Sequence, residues 1–124
     1  MNITRKVEKE VLMICVDGAV DSYTSEELKN YLLKLVSEEH IFFVIDFSKV
    51  THITSAGLSS LVVAAKMVTL RRGHIAICGL NDLVKKVFAI VQFENFIKIF
   101  ETPEEAIANV SAAHGFRPYS SGKA

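Results

Sequence analysis

Two hydroxyl residues and a glycine, in Ile53-Thr54-Ser55-Ala56-Gly57-Leu58, stand between the apolar run Ile41-Phe42-Phe43-Val44-Ile45-Asp46 and a stretch of helical periodicity running from Gly57 to Leu70. This arrangement puts Ser55 at a helix N-terminus. There the first backbone N–H groups have no intrahelical partner and the helix dipole is positive. A hydroxyl in that place can cap the helix or, once phosphorylated, hold a dianion. Capping is the usual role of such a serine, and spacing alone leaves both roles open.

Other chemistries find little in the chain to work with. An enzyme needs a nucleophile with a base, paired carboxylates or a metal constellation, and none is visible. His40, His52, His74 and His114 are scattered; His52 is the one near Ser55, at a spacing that does not by itself make a catalytic pair. There is no Gly-x-x-x-x-Gly-Lys-Ser/Thr loop and no Gly-x-Gly-x-x-Gly fingerprint, so no nucleotide site or other cofactor is expected. Cys15 and Cys78 each lie in a strand-like segment without a partner at metal-ligand spacing and read as buried free thiols, with no metal.

Charge narrows the partners. Acidic and basic residues balance at 14 each in 124 residues, without a block of one sign, which argues against direct binding of nucleic acid or attraction to an anionic membrane. No apolar stretch approaches the roughly 20 residues that span a bilayer, so no membrane insertion is expected. The start Met1-Asn2-Ile3-Thr4-Arg5-Lys6 has no signal-peptide core behind it, and the expected location is the cytoplasm. Proteins and small molecules remain as partners.

Half the residues are hydrophobic, enough for one domain with a real core. Ile3–Glu8 and Val11–Val16 predict a hairpin around Lys9-Glu10. Thr24 with Glu27 three residues on is a capping-box pattern, and Leu28, Tyr31, Leu32, Leu35 and Val36 follow at helical spacing, predicting a helix from about Ser25 to Glu38. Ile41–Ile45 is apolar without alternation, as a strand covered on both faces should be. The next helix places Leu58, Leu61, Val62, Ala65 and Val68 on one face and ends at Arg71-Arg72-Gly73, cations followed by a glycine stop.

His74–Gly79 predicts another strand, and Asn81 can cap a third helix bearing Leu83, Val87, Ile90 and Val91. Phe96–Phe100 predicts a last strand, with Phe93 and Phe96 read as core residues. Thr102-Pro103-Glu104-Glu105 opens a fourth helix with a threonine cap, an N1 proline and a glutamate at N3. The order is β-β-α-β-α-β-α-β-α, an α/β fold with a mixed, mostly parallel sheet packed with four helices. Residues 1–113 form the expected domain and 114–124, rich in glycine, proline and serine, a flexible tail.

Asp46-Phe47-Ser48-Lys49-Val50 followed by Ile53–Leu58 resembles the signature of STAS domains, the family of bacterial anti-sigma factor antagonists. The stretch from Val16 through Gly18 and Asp21 to Leu28 is similar to the family's strand, loop and first helix. The family usually carries an aspartate where this chain has Thr54, and often a second hydroxyl where it has Ala56. The resemblance implies that Ser55 is phosphorylated by a cognate anti-sigma factor serine kinase and that a serine phosphatase reverses it. It also implies that Asp21, on the same end of the sheet, joins Thr54, Ser55, Ala56 and Gly57 in a partner-binding surface. From the residues alone, Asp21 reads equally well as a loop residue approaching the helix. Three functions follow in order of support: a phosphorylation-controlled antagonist that docks on the kinase and frees a sigma factor, a constitutive STAS subunit of a transporter or signalling assembly, and a small enzyme using Ser55.

Overall fold

A computed structural model describes residues 1–115. Five strands form one sheet in the order β1 (Asn2–Glu8), β2 (Val11–Val20), β3 (Phe42–Ile53), β4 (His74–Cys78) and β5 (Lys98–Phe100). β1 is antiparallel to β2, and the other pairs are parallel. The helices are α1 (Thr24–Ser37), α2 (Ser55–Leu70), α3 (Asp82–Ile90) and α4 (Pro103–Gly115), with a 3-10 turn at Phe93–Asn95. The element order expected from the sequence is the one observed.

The unalternating run in β3 is explained by layers on both faces. Phe43 and Ile45 enter the larger core with Leu28 and Leu32 of α1, Leu61 and Val68 of α2 and Phe88 of α3. Phe42 and Val44 point the other way, into a smaller core with Ala106, Ile107 and Val110 of α4. Burying one such side chain contributes about 1.5–3 kcal/mol, and an alternating strand would have left one layer without a partner. Phe47 meets Phe88 edge-on with centroids 6.2 Å apart, and Phe88 meets Phe93 at 4.5 Å, joining α3 and the 3-10 turn to the sheet.

Several boundaries differ from the sequence reading, each for a tertiary reason. β3 runs to Ile53 instead of stopping near Ile45, because Lys49, Val50 and Ile53 pair with Asp17, Gly18 and Val20 across two register shifts. The Thr24–Glu27 capping box does not form: Thr24 is inside α1, and Asp21 Oδ1 accepts the Tyr23 and Thr24 amides instead. In α3 the buried residues are Val84 and Phe88, whereas Leu83, Ile90 and Val91 are exposed. Phe93 is core as expected, but Phe96 is half exposed.

The helix ends follow their expected chemistry more closely. Asn81 Oδ1 accepts the Val84 amide at 2.8 Å. Thr102 and Glu105 exchange both bonds of a capping box, at 3.2 and 3.4 Å. After α2 the left-handed residue is Arg72 (φ 62°), not Gly73. A Cβ at Gly73 would lie 2.1 Å from the Ile41 carbonyl oxygen, so glycine is needed for close approach. Arg71 donates to the Val36 carbonyl at the end of α1, 3.3 Å away.

Between β1 and β2, Lys9 (φ 53°) and Glu10 (φ 64°) both sit in the left-handed region, a two-residue turn that favours Asn-Gly. Ser111 of α4 donates to the Lys9 carbonyl and His114 stacks on Phe42 at 4.2 Å, holding α4 against this corner. His114, read from sequence as the start of the tail, is therefore helical; 116–124 lie outside the described residues. Replacing Lys9-Glu10 by Asn-Gly is expected to raise the unfolding free energy by about 1 kcal/mol, read as a higher urea midpoint. An unchanged midpoint would mean that the turn carries no strain.

Candidate functional site

The loop ahead of α2 is built by strand pairing and one cap. Thr54 donates its amide to the Val20 carbonyl at 3.0 Å, so the end of β3 is tied to the end of β2. Thr54 Oγ1 then accepts the Gly57 amide at 3.4 Å, and its carbonyl accepts the Leu58 amide at 3.0 Å. Thr54, and not Ser55, is thus the cap of α2. Ser55 is the first helical residue, exposed, and outside the capping geometry.

Gly57 explains how α2 starts so close to the sheet. A Cβ there would lie 2.7 Å from Ile53 Cγ1, 2.8 Å from Val20 Cγ1 and 2.9 Å from the Val20 oxygen. Ala56 is half-buried and its carbonyl accepts from the buried Ser60 hydroxyl, 3.1 Å away. The amides of Ser55 and Ala56 precede the first intrahelical bond. No acidic residue lies in the first turn of α2, whereas α1, α3 and α4 carry Glu26 and Glu27, Asp82, and Glu104 and Glu105 there. The positive end of α2 therefore lacks the carboxylate that offsets the dipole in the other three.

Asp21 follows Val20 directly, so the Val20–Thr54 link brings its loop beside Ser55. Its Oδ1 accepts the amides of Tyr23 at 2.9 Å and Thr24 at 3.0 Å. The Thr24 hydroxyl donates to the Ala19 carbonyl at 2.7 Å and accepts the Asp21 amide at 2.8 Å. The Thr24 and Tyr23 amides hold the Asp21 carboxyl below its ordinary value, and His52 adds a smaller pull in the same direction. Asp21 is thus a structural loop residue by its geometry.

A depressed folded pKa contributes stability above the unfolded value, and that contribution disappears as pH falls through the folded one. Asp21→Asn is therefore expected to be less stable than wild type near pH 7, with the gap closing as the pH falls below the ordinary carboxylate range. Urea unfolding at neutral pH and in acid checks this. A gap that does not change with pH would place the effect outside the charge.

Cysteine chemistry is disfavoured at Cys78, which is buried, whereas Cys15, read from sequence as buried too, is only partly so. Cys15 and Cys78 pair in register with Asp46 from either side. Burial, then the Asp46 carboxylate, pushes the Cys78 thiol up to about 12, far from the thiolate needed for nucleophilic attack. Among the described residues no group of three His, Cys, Asp or Glu could hold a metal ion, and no helix is long and apolar enough to cross a membrane.

A profile of the STAS domain matches residues 2–106. The chain belongs to the STAS domain family. This STAS domain is 29% identical over 112 residues to the anti-sigma-B factor antagonist of Listeria monocytogenes, a match covering 88% of this chain and 98% of that one. Its fold is shared with an anti-sigma factor antagonist from Mycobacterium paratuberculosis at a TM-score of 0.80 and 18% identity, over 88% of this chain and 92% of the other. It is shared too with the phosphorylated form of the Bacillus cell fate determinant SpoIIAA, at a TM-score of 0.67 and 17% identity, over 88% and 99%.

In this STAS domain the five residues singled out from sequence, Asp21, Thr54, Ser55, Ala56 and Gly57, converge on one end of the sheet through the Val20–Thr54 bond. The sequence reading missed Tyr23, which stands 89% exposed between Asp21 and α1. It left Val63 unassigned, put Val91 on the apolar face of the third helix and read Phe96 as core, and all three flank a groove that Ser55 itself lines. A signal for that groove was available: among the sixteen residues of α2, Lys66 alone carries a formal charge.

The change of cap residue has a measurable consequence. Thr54→Ala is expected to cost about 1 kcal/mol, the usual value of a helix cap, and Ser55→Ala only a few tenths, since Ser55 caps nothing. Urea unfolding of both variants checks this; the reverse ranking would return the cap to Ser55.

Proposed function

We propose that the chain is an anti-sigma factor antagonist whose docking on a serine-kinase anti-sigma factor is controlled by phosphate on Ser55. Unmodified, it binds the kinase and so releases a sigma factor. The kinase transfers the γ-phosphoryl group of ATP to Ser55 Oγ: the new O–P bond forms, the bond to ADP breaks, and the hydroxyl proton passes to a base of the kinase. A serine phosphatase restores the hydroxyl. The phosphoryl chemistry then belongs to the partners, and the chain itself supplies the acceptor and the surface.

The observation that carries this reading is the placement of Ser55 as the exposed first residue of α2, capped by its neighbour and without an acidic residue in the first turn. A dianion there meets helix N–H groups and the positive dipole end, so the free domain tolerates it. Inside a complementary interface the same charge of about −1.5 to −2 brings repulsion and a desolvation cost. Asp21 joins the interface as the adjoining loop. The Listeria relative, named for antagonising an anti-sigma factor, supports the same assignment.

The test is incubation of the chain with its cognate kinase and ATP, followed by phosphosite mapping. Phosphate on Ser55 is expected. Phosphate on Thr54, Ser59 or Ser60 with Ser55 unmodified would overturn the assignment.

A further inference from the structure

On the face of the sheet that α4 packs against, the cover is partial. Val11 and Met13 of β2 and Phe42 and Val44 of β3 lie under Ala106, Ile107 and Val110, whereas Cys15 and Asp46, two residues farther along each strand, are half-buried at its margin. Beyond them β3 carries a bulge. Cys15 pairs with Asp46 and Asp17 with Lys49, so Val16 alone stands against Phe47 and Ser48. The extra residue re-aims the strand: Phe47 and Val50 both enter the larger core, and the two residues between them, Ser48 and Lys49, are both exposed. With Thr4 and Asn2 of β1, which pair with Cys15 and Asp17, they wall a hollow of about 320 Å³, at the lower end of the volumes that hold small molecules.

Three charged groups line this hollow without answering one another. Asp17 and Lys49 stand opposite in register, the arrangement in which opposite charges normally interact across strands, yet among the described residues no ion pair includes Asp17, Lys49 or Asp46. Asp46 is fixed in place, its Oδ1 accepting the Ser48 amide at 2.9 Å and the Ser48 hydroxyl at 2.7 Å. We propose that the hollow binds a small zwitterion of the α-amino acid kind, its ammonium held between Asp17 and Asp46 and its carboxylate by Lys49. Charge-assisted hydrogen bonds of this type are the strong ones, and Thr4 and Asn2 add neutral donors and acceptors for the rest of the ligand. Two carboxylates in the wall repel a phosphate or a nucleotide. A bare divalent cation would find no group of three ligating side chains among the described residues. A lone amine would leave the Lys49 ammonium unanswered. The site is built from β1, β2 and β3, and its occupancy does not require phosphate on Ser55.

The probes are the common L-α-amino acids, titrated one at a time into the isotope-labelled chain while its amide resonances are followed by NMR, with methylammonium, acetate and ATP as comparisons. At least one amino acid is expected to bind with a millimolar or lower Kd and to shift the amides of Asp17, Asp46 and Lys49, with the three comparison compounds at least tenfold weaker. Asp17→Asn and Lys49→Gln change exposed side chains; each is expected to weaken that binding at least tenfold with the melting temperature unchanged, while Lys34→Gln on α1 binds like wild type. Failure of every amino acid to move these amides would overturn the proposal. So would methylammonium or ATP binding there as tightly as the best amino acid, which would make the hollow a site for a lone cation or an anion. Wild-type affinity in both Asp17→Asn and Lys49→Gln would overturn it as well.

Discussion

Gly57→Ala is expected to lower the unfolding free energy by about 3 kcal/mol, the upper end of the cost of inserting a methyl into a packed site. The new Cβ would meet Ile53 Cγ1 at 2.7 Å, Val20 Cγ1 at 2.8 Å and the Val20 carbonyl oxygen at 2.9 Å. The side chains can turn aside in part, but the carbonyl belongs to the backbone and accepts the Thr54 amide. Relief therefore requires the first turn of α2 to move away from β2, which weakens that bond and shifts Ser55 relative to Asp21. Urea unfolding should show a lower midpoint with an unchanged slope. A wild-type midpoint would mean that α2 can start farther from the sheet at no cost, and that the convergence of the two loops is loose.

The second large effect concerns charge at Ser55. Ser55→Asp is expected to weaken kinase binding at least tenfold, about 1.4 kcal/mol, while the fold keeps its stability or gains slightly. An acidic residue in the first turn of α2 supplies what the other three helices already have. Loss of affinity with unchanged melting must then arise at the interface. Ser55→Ala, which removes the acceptor without adding charge, should bind like wild type. Calorimetric titration with melting curves on each variant checks the pair, and equal affinity for Ser55→Asp and wild type would show that the loop is not controlled by charge.

Much of the fold was legible because local signals and tertiary packing agree. The apolar run at Phe42–Ile45 implied two covered faces, and two separate cores lie against it. Asn81 and the Thr102–Glu105 pair announced helix starts through side chains that bond their own backbone, a purely local event. In α3 the pattern was ambiguous, since Leu83, Val84, Val87, Phe88, Ile90 and Val91 offer two overlapping stripes in nine or ten residues. The aromatic contacts of Phe88 with Phe47 and Phe93 decide the face, and those partners are distant in sequence or in another element.

The candidate site was legible as a segment but not in its division of labour. Two hydroxyls stand side by side at Thr54 and Ser55, and either type can cap a helix. What selects Thr54 is the bond of its amide to Val20, 34 residues earlier, which fixes where β3 ends and α2 begins. Asp21 was visible as a loop residue, yet its grip on the Tyr23 and Thr24 amides depends on the local turn. Phe96 was assigned to the core because phenylalanine is mostly buried. Phe93 takes the interior place, and Phe96 remains beside it with ring centroids 6.2 Å apart and half its surface open.

The most direct measurement of the central claim is the affinity of the cognate kinase for the chain in its two covalent states, unmodified and phosphorylated on Ser55, by calorimetric titration with melting curves alongside. The predicted result is that the unmodified chain binds and the phosphorylated chain binds at least tenfold more weakly, with closely matching melting temperatures. Equal affinity of the two forms would contradict the account and leave the loop as a constitutive contact.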